Sequence, residues 1–258
     1  MWSGNELLPI YGFVVGMLVG LTGMGGGVIM TPLLIFGLGL PATAAVGTDL
    51  AYAAPTKIFG GWQHWRQGTI DARIVRDLAT GSVPASLVMV GLLAWSHTTD
   101  TQMTDLWIKR VIGVAMIVAA TLMLRRLFHG TSHQQSSQEK PYRRTRLIVI
   151  GIIGGGLVGL TSIGSGSLIM ALLVVTVSLA PDKLVGTDVV HAAVLVSSAA
   201  IAHFMLGDVD LAIAGMLMVG SIPGVLIGSR LVLRVPSQAL RFGLAMILVA
   251  TGVPLTFV

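Results

Sequence analysis

Two aspartates sit where a carboxylate is expensive. Asp49 and Asp188 each close the tetrapeptide Val-Gly-Thr-Asp, inside stretches that are otherwise apolar. An acid at membrane depth is kept for a purpose, such as carrying a proton or cation or holding broken backbone. Both uses, coupling group and structural staple, stay open at this point. Thr48 and Thr187, the preceding residues, could face a substrate. His191 follows Asp188 by three residues, so a helix puts the two on one face. That pair could relay a proton or simply be a satisfied buried histidine. Lys57 lies eight residues, about two turns, beyond Asp49. It is either a cationic substrate ligand or a side chain snorkelling to the interface.

The second kind of chemistry is backbone chemistry. The chain reads Leu-Thr-Gly-Met-Gly-Gly-Gly at 21–27 and Leu-Thr-Ser-Ile-Gly-Ser-Gly at 160–166. Glycine permits positive φ and close backbone approach. At membrane depth, unwound backbone is tolerated only against protein or a water-filled cavity. Two helices broken there and meeting at the midplane would aim N–H groups and positive helix ends at one point, which is an anion site. The candidate substrate ligands are Thr22, Gly23, Met24, Gly25, Gly26 and Gly27 in the first break. Thr161, Ser162, Gly164, Ser165 and Gly166 are those of the second, with Ser167 as a further hydroxyl. Close helix packing is the competing use of glycine. The ridges Gly12, Gly16, Gly20 and Gly151, Gly155, Gly159, spaced by four, are assigned to it. Such ridges suit internal packing or a homodimer.

Other chemistries are missing from the sequence. There is no cysteine, and no cluster of histidines and carboxylates spaced to hold a metal. The glycine run has no following lysine and is not a Walker loop. No nucleophile stands beside a paired base. The expectation is a protein without metal or cofactor that is not an enzyme and binds no nucleic acid.

The elements that must position these residues follow from composition. Of 258 residues, 54% are hydrophobic and 10% charged, and the mean hydropathy is +0.86. Soluble domains carry about 25% charge, so this chain belongs in a bilayer. The 42 residues between Glu6 and Asp49 and the 35 between Arg146 and Asp182 hold no charge. Full helices are predicted near 42–60, 78–96, 107–127, 184–205, 211–229 and 239–257. A glycine-broken hairpin, re-entrant or thinly spanning, is predicted at 7–39 and again at 147–180. The opening residues lack the basic segment of a cleavable signal. One polar stretch, 129–146, divides a first unit at 1–128 from a second at 147–258.

The two units are copies at a constant offset of 139 positions. Nine of sixteen residues in 12–27 recur in 151–166. Val-Gly-Thr-Asp at 46–49 returns at 185–188, and His64, Gly68, Asp71, Gly81 and Pro84 return as His203, Gly207, Asp210, Gly220 and Pro223. Duplication of this size is the architecture of secondary transporters. Positive-inside counting decides the relation between the copies. If they are inverted, 14 of the 16 Lys and Arg lie inside, all but Lys109 and Arg110. Both termini are then external and the linker is cytoplasmic, with Trp62 and Trp65 at the inner interface and Trp95 and Trp107 at the outer one. Pro84, Pro223 and the Gly220, Gly224, Gly228 ridge are candidate pivots for alternating access.

These features resemble the sulfite exporter TauE/SafE family of membrane permeases. The likeness rests on Gly16 to Gly27 with Pro32 after it, on Pro41 to Thr48, and on the echo of both in the second half. It spans nearly the whole chain. The resemblance implies a multi-pass carrier in a bacterial or archaeal inner membrane, exporting sulfite, thiosulfate, sulfonates or other small organic anions. It also implies coupling to the proton gradient. The second break departs from the glycine pattern, with Ser162 and Ser165 at the places of Gly23 and Gly26. The rival reading is a cation or metal-ion carrier with Asp49 and Asp188 as ligands.

Overall fold

The computed structural model describes residues 7–22, 26–97, 101–128, 143–166, 168–231 and 237–257. Among them every regular element is an α-helix. They are α1 (Leu8–Thr22), α2 (Gly27–Leu38), α3 (Ala42–Gln67), α4 (Ala72–His97), α5 (Thr101–Phe128), α6 (Arg144–Thr161), α7 (Leu168–Thr176), α8 (Pro181–Met205), α9 (Leu211–Leu231) and α10 (Ser237–Phe257). The expected all-helical membrane fold is therefore observed, and each long uncharged window holds two helices, α1 and α2 or α6 and α7, around its glycine break.

The helices run further than hydropathy marks them. α3 continues to Gln67, α4 begins at Ala72 and α6 at Arg144, three residues inside the polar linker. Charge does not end a helix; it only leaves the bilayer, and α-helical backbone goes on satisfying itself there. What ends α3 is Gly68 at φ 68°, whose N–H returns to the carbonyls of the last turn. Its counterpart Gly207, at φ 81°, follows α8 in the same way. Most of the 129–146 linker lies outside the described residues.

Five helices carry described stretches long and apolar enough to cross a membrane: α4, α5, α6, α8 and α9. α3 is long enough, but Thr48, Asp49, Thr56 and Lys57 make it more polar. Outward faces are apolar, with Val88, Ile153, Ile201, Phe204, Val219 and Ile222 all exposed. The polar residues go the other way: Thr48, Asp49, Ser82, Thr161, Thr187, His191, His203 and Ser221 are fully buried. This inversion of the soluble pattern is what lipid as a solvent demands. Trp62 and Trp107 are exposed, with Arg66 and Arg110 stacked over their rings.

The packing exchanges elements between the halves. α1 lies parallel along α9, with Gly12 on Leu217, Gly16 on Ser221, and Gly220, Gly224 and Gly228 on Pro9, Phe13 and Met17. α6 lies parallel along α4 in the matching register, with Gly151, Gly155 and Gly159 on Leu78, Ser82 and Ser86. At each of these glycines a methyl group would run into partner backbone. The ridges are thus spent on backbone-to-backbone contact within the chain, the small-residue packing available where no hydrophobic effect joins helices. α3 and α8 meet antiparallel, with Gly47 against His203 and Gly61 against Val190. The ridge suggested as a pivot in α9 is locked to α1, so any motion of α9 must carry α1 with it.

Two hydrogen bonds repeat this exchange. Thr48 Oγ1 accepts the Asp210 N–H at 3.0 Å, and Thr187 Oγ1 accepts the Asp71 N–H at 2.9 Å. At the other end of α3, Asp105 Oδ1 accepts the Ala42 N–H at 2.6 Å while its second oxygen pairs with Lys109 at 2.6 Å. A carboxylate borrowed from α5 thereby caps a helix whose own Pro41 cannot.

Replacing Gly155 by Ala puts a methyl within 2.6 Å of the Ser82 backbone, whereas Gly91 has nothing within 4 Å. Overpacking against backbone costs about 1–3 kcal/mol, and a free glycine in a helix gains about 0.5–1 kcal/mol on becoming Ala. Gly155→Ala is expected to lower the melting temperature of the purified chain in detergent by several degrees, and Gly91→Ala to leave it level or raise it. Equal melting of the two would sink the account of the ridge.

Candidate functional site

The polar centre forms where α2, α3 and the α6–α7 break meet. α2 starts at Gly27 after Gly26, with no side-chain cap on its first turn. A Cβ on Gly27 would stand 2.5 Å from the Ser162 carbonyl oxygen and 3.1 Å from Asp49 Oδ2. Only glycine lets the first broken helix come this close to the second break. Asp49 is fully buried at this junction, and Thr31, one turn into α2, donates to its Oδ2 at 2.6 Å. Its other oxygen, Oδ1, is buried without a hydrogen-bond partner. Asp49 therefore binds α3 to α2, and Gly27 seats α2 against the α6–α7 turn.

The second break is held open by its own hydroxyls. Thr161 Oγ1 donates to the Leu157 carbonyl at 2.7 Å and accepts the Ile163 N–H at 3.1 Å. Ser162 follows in the left-handed region at φ 59°, uncommon for a residue with a Cβ. Gly164 follows at φ 110°, which strains a side chain. Lys57 donates from Nζ to the Ser165 carbonyl at 3.3 Å. Its ammonium also acts electrostatically on both Asp49 and Asp188. The Lys57 side chain thus turns inward to the second break.

Among the expected ligands, Gly26, Gly27, Ser162 and Lys57 are thus brought together, with Gly164, Ser165 and Gly166 in the same turn. Gly23, Met24, Gly25, Ser167 and the side chain of Thr22 lie outside the described residues. Thr48 and Thr187 were expected to face the substrate. Their hydroxyls are occupied instead by the Asp210 and Asp71 N–H groups, fully buried between the halves.

Asp188 is buried on α8, and its Oδ1, like that of Asp49, has no hydrogen-bond partner. His191, one turn on, is fully buried; its Nε2 lies 2.8 Å from Ser82 Oγ and its Nδ1 is unpartnered. At the matching place in the first half, the Tyr52 hydroxyl donates to Ser221 Oγ at 2.7 Å. His203 bridges Asp208 at 3.3 Å and the Gly159 carbonyl at 3.0 Å, and His64 meets Thr69 at 2.9 Å. Both matched histidines thus serve helix ends.

Thr31, Tyr52, Ser82 and Ser221 were not singled out in the sequence. The offset of 139 carried a signal for three of them, since Ser82 maps onto Ser221 and Tyr52 onto His191. Thr31 had none, because its counterpart is Met170. Two apolar grooves flank the centre. One of about 300 Å³ runs from Trp107 and Arg110 on α5 to Ile163 and Gly164, and another of about 320 Å³ lies between α2 and α10.

Apolar helices outside and a polar, broken-helix centre inside define a multi-pass helical membrane protein of the transporter kind. The chain belongs to the sulfite exporter TauE/SafE family, whose model matches residues 8–255. It is 41% identical over 249 residues to the probable membrane transporter protein YjnA of Bacillus subtilis (strain 168), covering 95% of this chain and 97% of that one. It is 27% identical over 251 residues to the probable membrane transporter protein YdhB of the same organism, covering 97% and 100%. A third relative, the probable membrane transporter protein MJ0441 of Methanocaldococcus jannaschii, is 28% identical over 173 residues, or 65% and 60% of the two chains. No solved structure matches the chain. Its family is one of membrane transporters, not of enzymes.

Removing the Thr31 hydroxyl leaves a buried carboxylate short of a donor, which costs about 1–3 kcal/mol. Thr31→Val is expected to lower the melting temperature in detergent by several degrees, and Thr31→Ser to stay near wild type. Unchanged melting of the valine variant would remove Asp49 from the structural role assigned to it.

Proposed function

We propose that this chain is a secondary transporter that moves a small sulfur-containing anion, such as sulfite, thiosulfate or a sulfonate, across the cell membrane. One observation carries the reading. The first break opens α2 against Ser162, and the Lys57 ammonium meets the same second break at Ser165. Uncapped N–H groups at the start of α2, hydroxyls and one cation share a buried junction, which is how an anion is held without water. The family's description supplies the sulfite and the outward direction.

The two carboxylates do not defeat an anion there. Asp49 Oδ2 is engaged by the Thr31 hydroxyl, and Lys57 brings a cationic group to the same junction. The same lysine argues against the cation-carrier reading, because a cationic group turned into this junction repels a second cation. The antiparallel meeting of α3 and α8 supports two inverted units, 1–128 and 147–258, with the 129–146 linker cytoplasmic and both termini external. Alternating access then moves the α1–α9 and α4–α6 pairs as units about the junction.

The test is uptake of radiolabelled sulfite into proteoliposomes of the purified chain. Saturable uptake is expected, with thiosulfate and sulfonates competing and sodium and potassium ions without effect. Losing a charge-assisted contact costs about 1.5–3 kcal/mol, so Lys57→Gln should raise the half-saturating concentration about tenfold or more. Gly164→Leu, strained at φ 110°, should abolish uptake. A folded wild-type chain that takes up no anion of the panel would end the proposal.

A further inference from the structure

α5 turns two faces to different neighbours. On one, Gly113 packs on Gly252 and Thr256 of α10, and Ile112, Met116 and Ala120 are buried. On the other, Trp107, Arg110, Val111, Val114, Ala115 and Val118 follow at steps of three, one, three, one and three, so a helix stacks them in one stripe. This stripe is one wall of the groove of about 300 Å³, and Leu157, Ile163, Gly164 and Leu168 of the second break region are the other. Trp107 is 61% exposed, Val114 51% and Val118 46%, so no part of the chain fills the groove from outside.

The groove is amphipathic along its length. At one end the Arg110 guanidinium lies over the Trp107 ring, 5.9 Å from its centre. Among the described residues Arg110 has no acidic partner, because the nearby Asp105 is taken by Lys109 at 2.6 Å. Trp107 and Val111 also line a neighbouring groove of about 210 Å³, which adds Ser96 and Thr104 at this end. From Val111 to Ala119 every lining residue is apolar, a run of about 12 Å at 1.5 Å per residue. A tryptophan and a long cationic side chain above an apolar run mark the headgroup level of a bilayer. The other half supplies a contrast. α10 and α2, which the offset of 139 relates to α5 and α7, enclose a groove of about 320 Å³. There Met246 and Val249 stand for Trp107 and Arg110, and no charged residue is among the lining residues described.

We propose that the α5 groove is a binding site for one anionic phospholipid, with its phosphate on Arg110 beside Trp107 and one acyl chain along Val114 and Val118. A guanidinium takes two phosphate oxygens at once, a fit that its planar fork provides. With no carboxylate to neutralise Arg110, a headgroup of net negative charge completes the site. A zwitterionic headgroup brings its own cation and competes with the arginine. A small free anion would leave the apolar run unfilled. A second copy of this chain, meeting this face about a two-fold axis, would set Arg110 against like charge. The same groove reaches Ile163 and Gly164. The acyl chain therefore packs against the turn whose Ser165 carbonyl takes Lys57, and steadies the second break from the lipid side.

The site does not depend on what the chain transports, so it is read on the delipidated full chain in detergent. Native mass spectrometry counts retained lipid while phosphatidylglycerol, or phosphatidylcholine with the same acyl chains, is titrated in, and melting is followed in parallel. Wild type is expected to retain one phosphatidylglycerol, to melt several degrees higher with it, and to need at least severalfold more phosphatidylcholine for the same response. Loss of a charge-assisted contact in Arg110→Gln should weaken phosphatidylglycerol binding about tenfold and remove the preference between the two lipids. Val114→Trp fills the groove from an exposed position and should lose the retained lipid, whereas Ile247→Trp, in the α10–α2 groove, should keep it. Equal binding by wild type and Arg110→Gln, equal binding of the two lipids, or a lipid still held by Val114→Trp would each overturn the proposal. So would a melting shift given by glycerol phosphate alone, which marks a free-anion site. A dimer that Val114→Trp disrupts, with no lipid retained by wild type, would assign the face to a second copy instead.

Discussion

Every polar group in a bilayer interior has to be answered by the protein itself, and this fold is arranged around that constraint. Neither half could meet it alone. Thr48 of the first half takes the Asp210 N–H of the second, and Thr187 takes Asp71 of the first. The α6–α7 break, from the second half, rests its Ser162 carbonyl against Gly27 of the first, and Lys57 of the first closes on Ser165. An unwound turn in one half is stabilised by a charged helix in the other. That mutual dependence is the physical reason for the halves to interlock rather than stand side by side.

Glycine is the means by which the constraint is met. The α1–α9 and α4–α6 contacts place backbone on backbone, with glycines from both helices of the first pair in the seam. Dispersion between closely fitted helices then replaces the hydrophobic effect, which lipid removes. Rigid paired helices also make the rest of the molecule movable as bodies. Polarity is concentrated where α2, α3 and the α6–α7 break meet.

Much of this was legible in the sequence. Uncharged windows located the helices, the glycine breaks divided the first window of each half, and the offset of 139 paired the elements that turn out to be exchanged. Helix ends were less legible, because α3 and α6 run on into charged residues where hydropathy falls but backbone bonding does not. The side-chain partners of the site were least legible. Thr31 finds Asp49 eighteen residues on, and Tyr52 finds Ser221 across 169. Nothing local marks those residues, and the repeat helps only where both copies keep the same chemistry. Thr48 and Thr187 show the opposite limit. Conspicuous and duplicated, they looked like ligands, yet duplication here preserves the bond that holds the copies together.

Where the halves differ, the differences fall on one side. The second half gives up the hydroxyl of Thr31 for Met170 and the phenol of Tyr52 for an imidazole, while the first half alone supplies Lys57, whose counterpart is Val196. A frame repeated twice that carries only one lysine is not a symmetric site. Duplication explains the scaffold: paired helices, two breaks and two buried aspartates. The asymmetry is itself built across the copies, because Lys57 of the first half reaches the Ser165 carbonyl of the second only where the halves interlock.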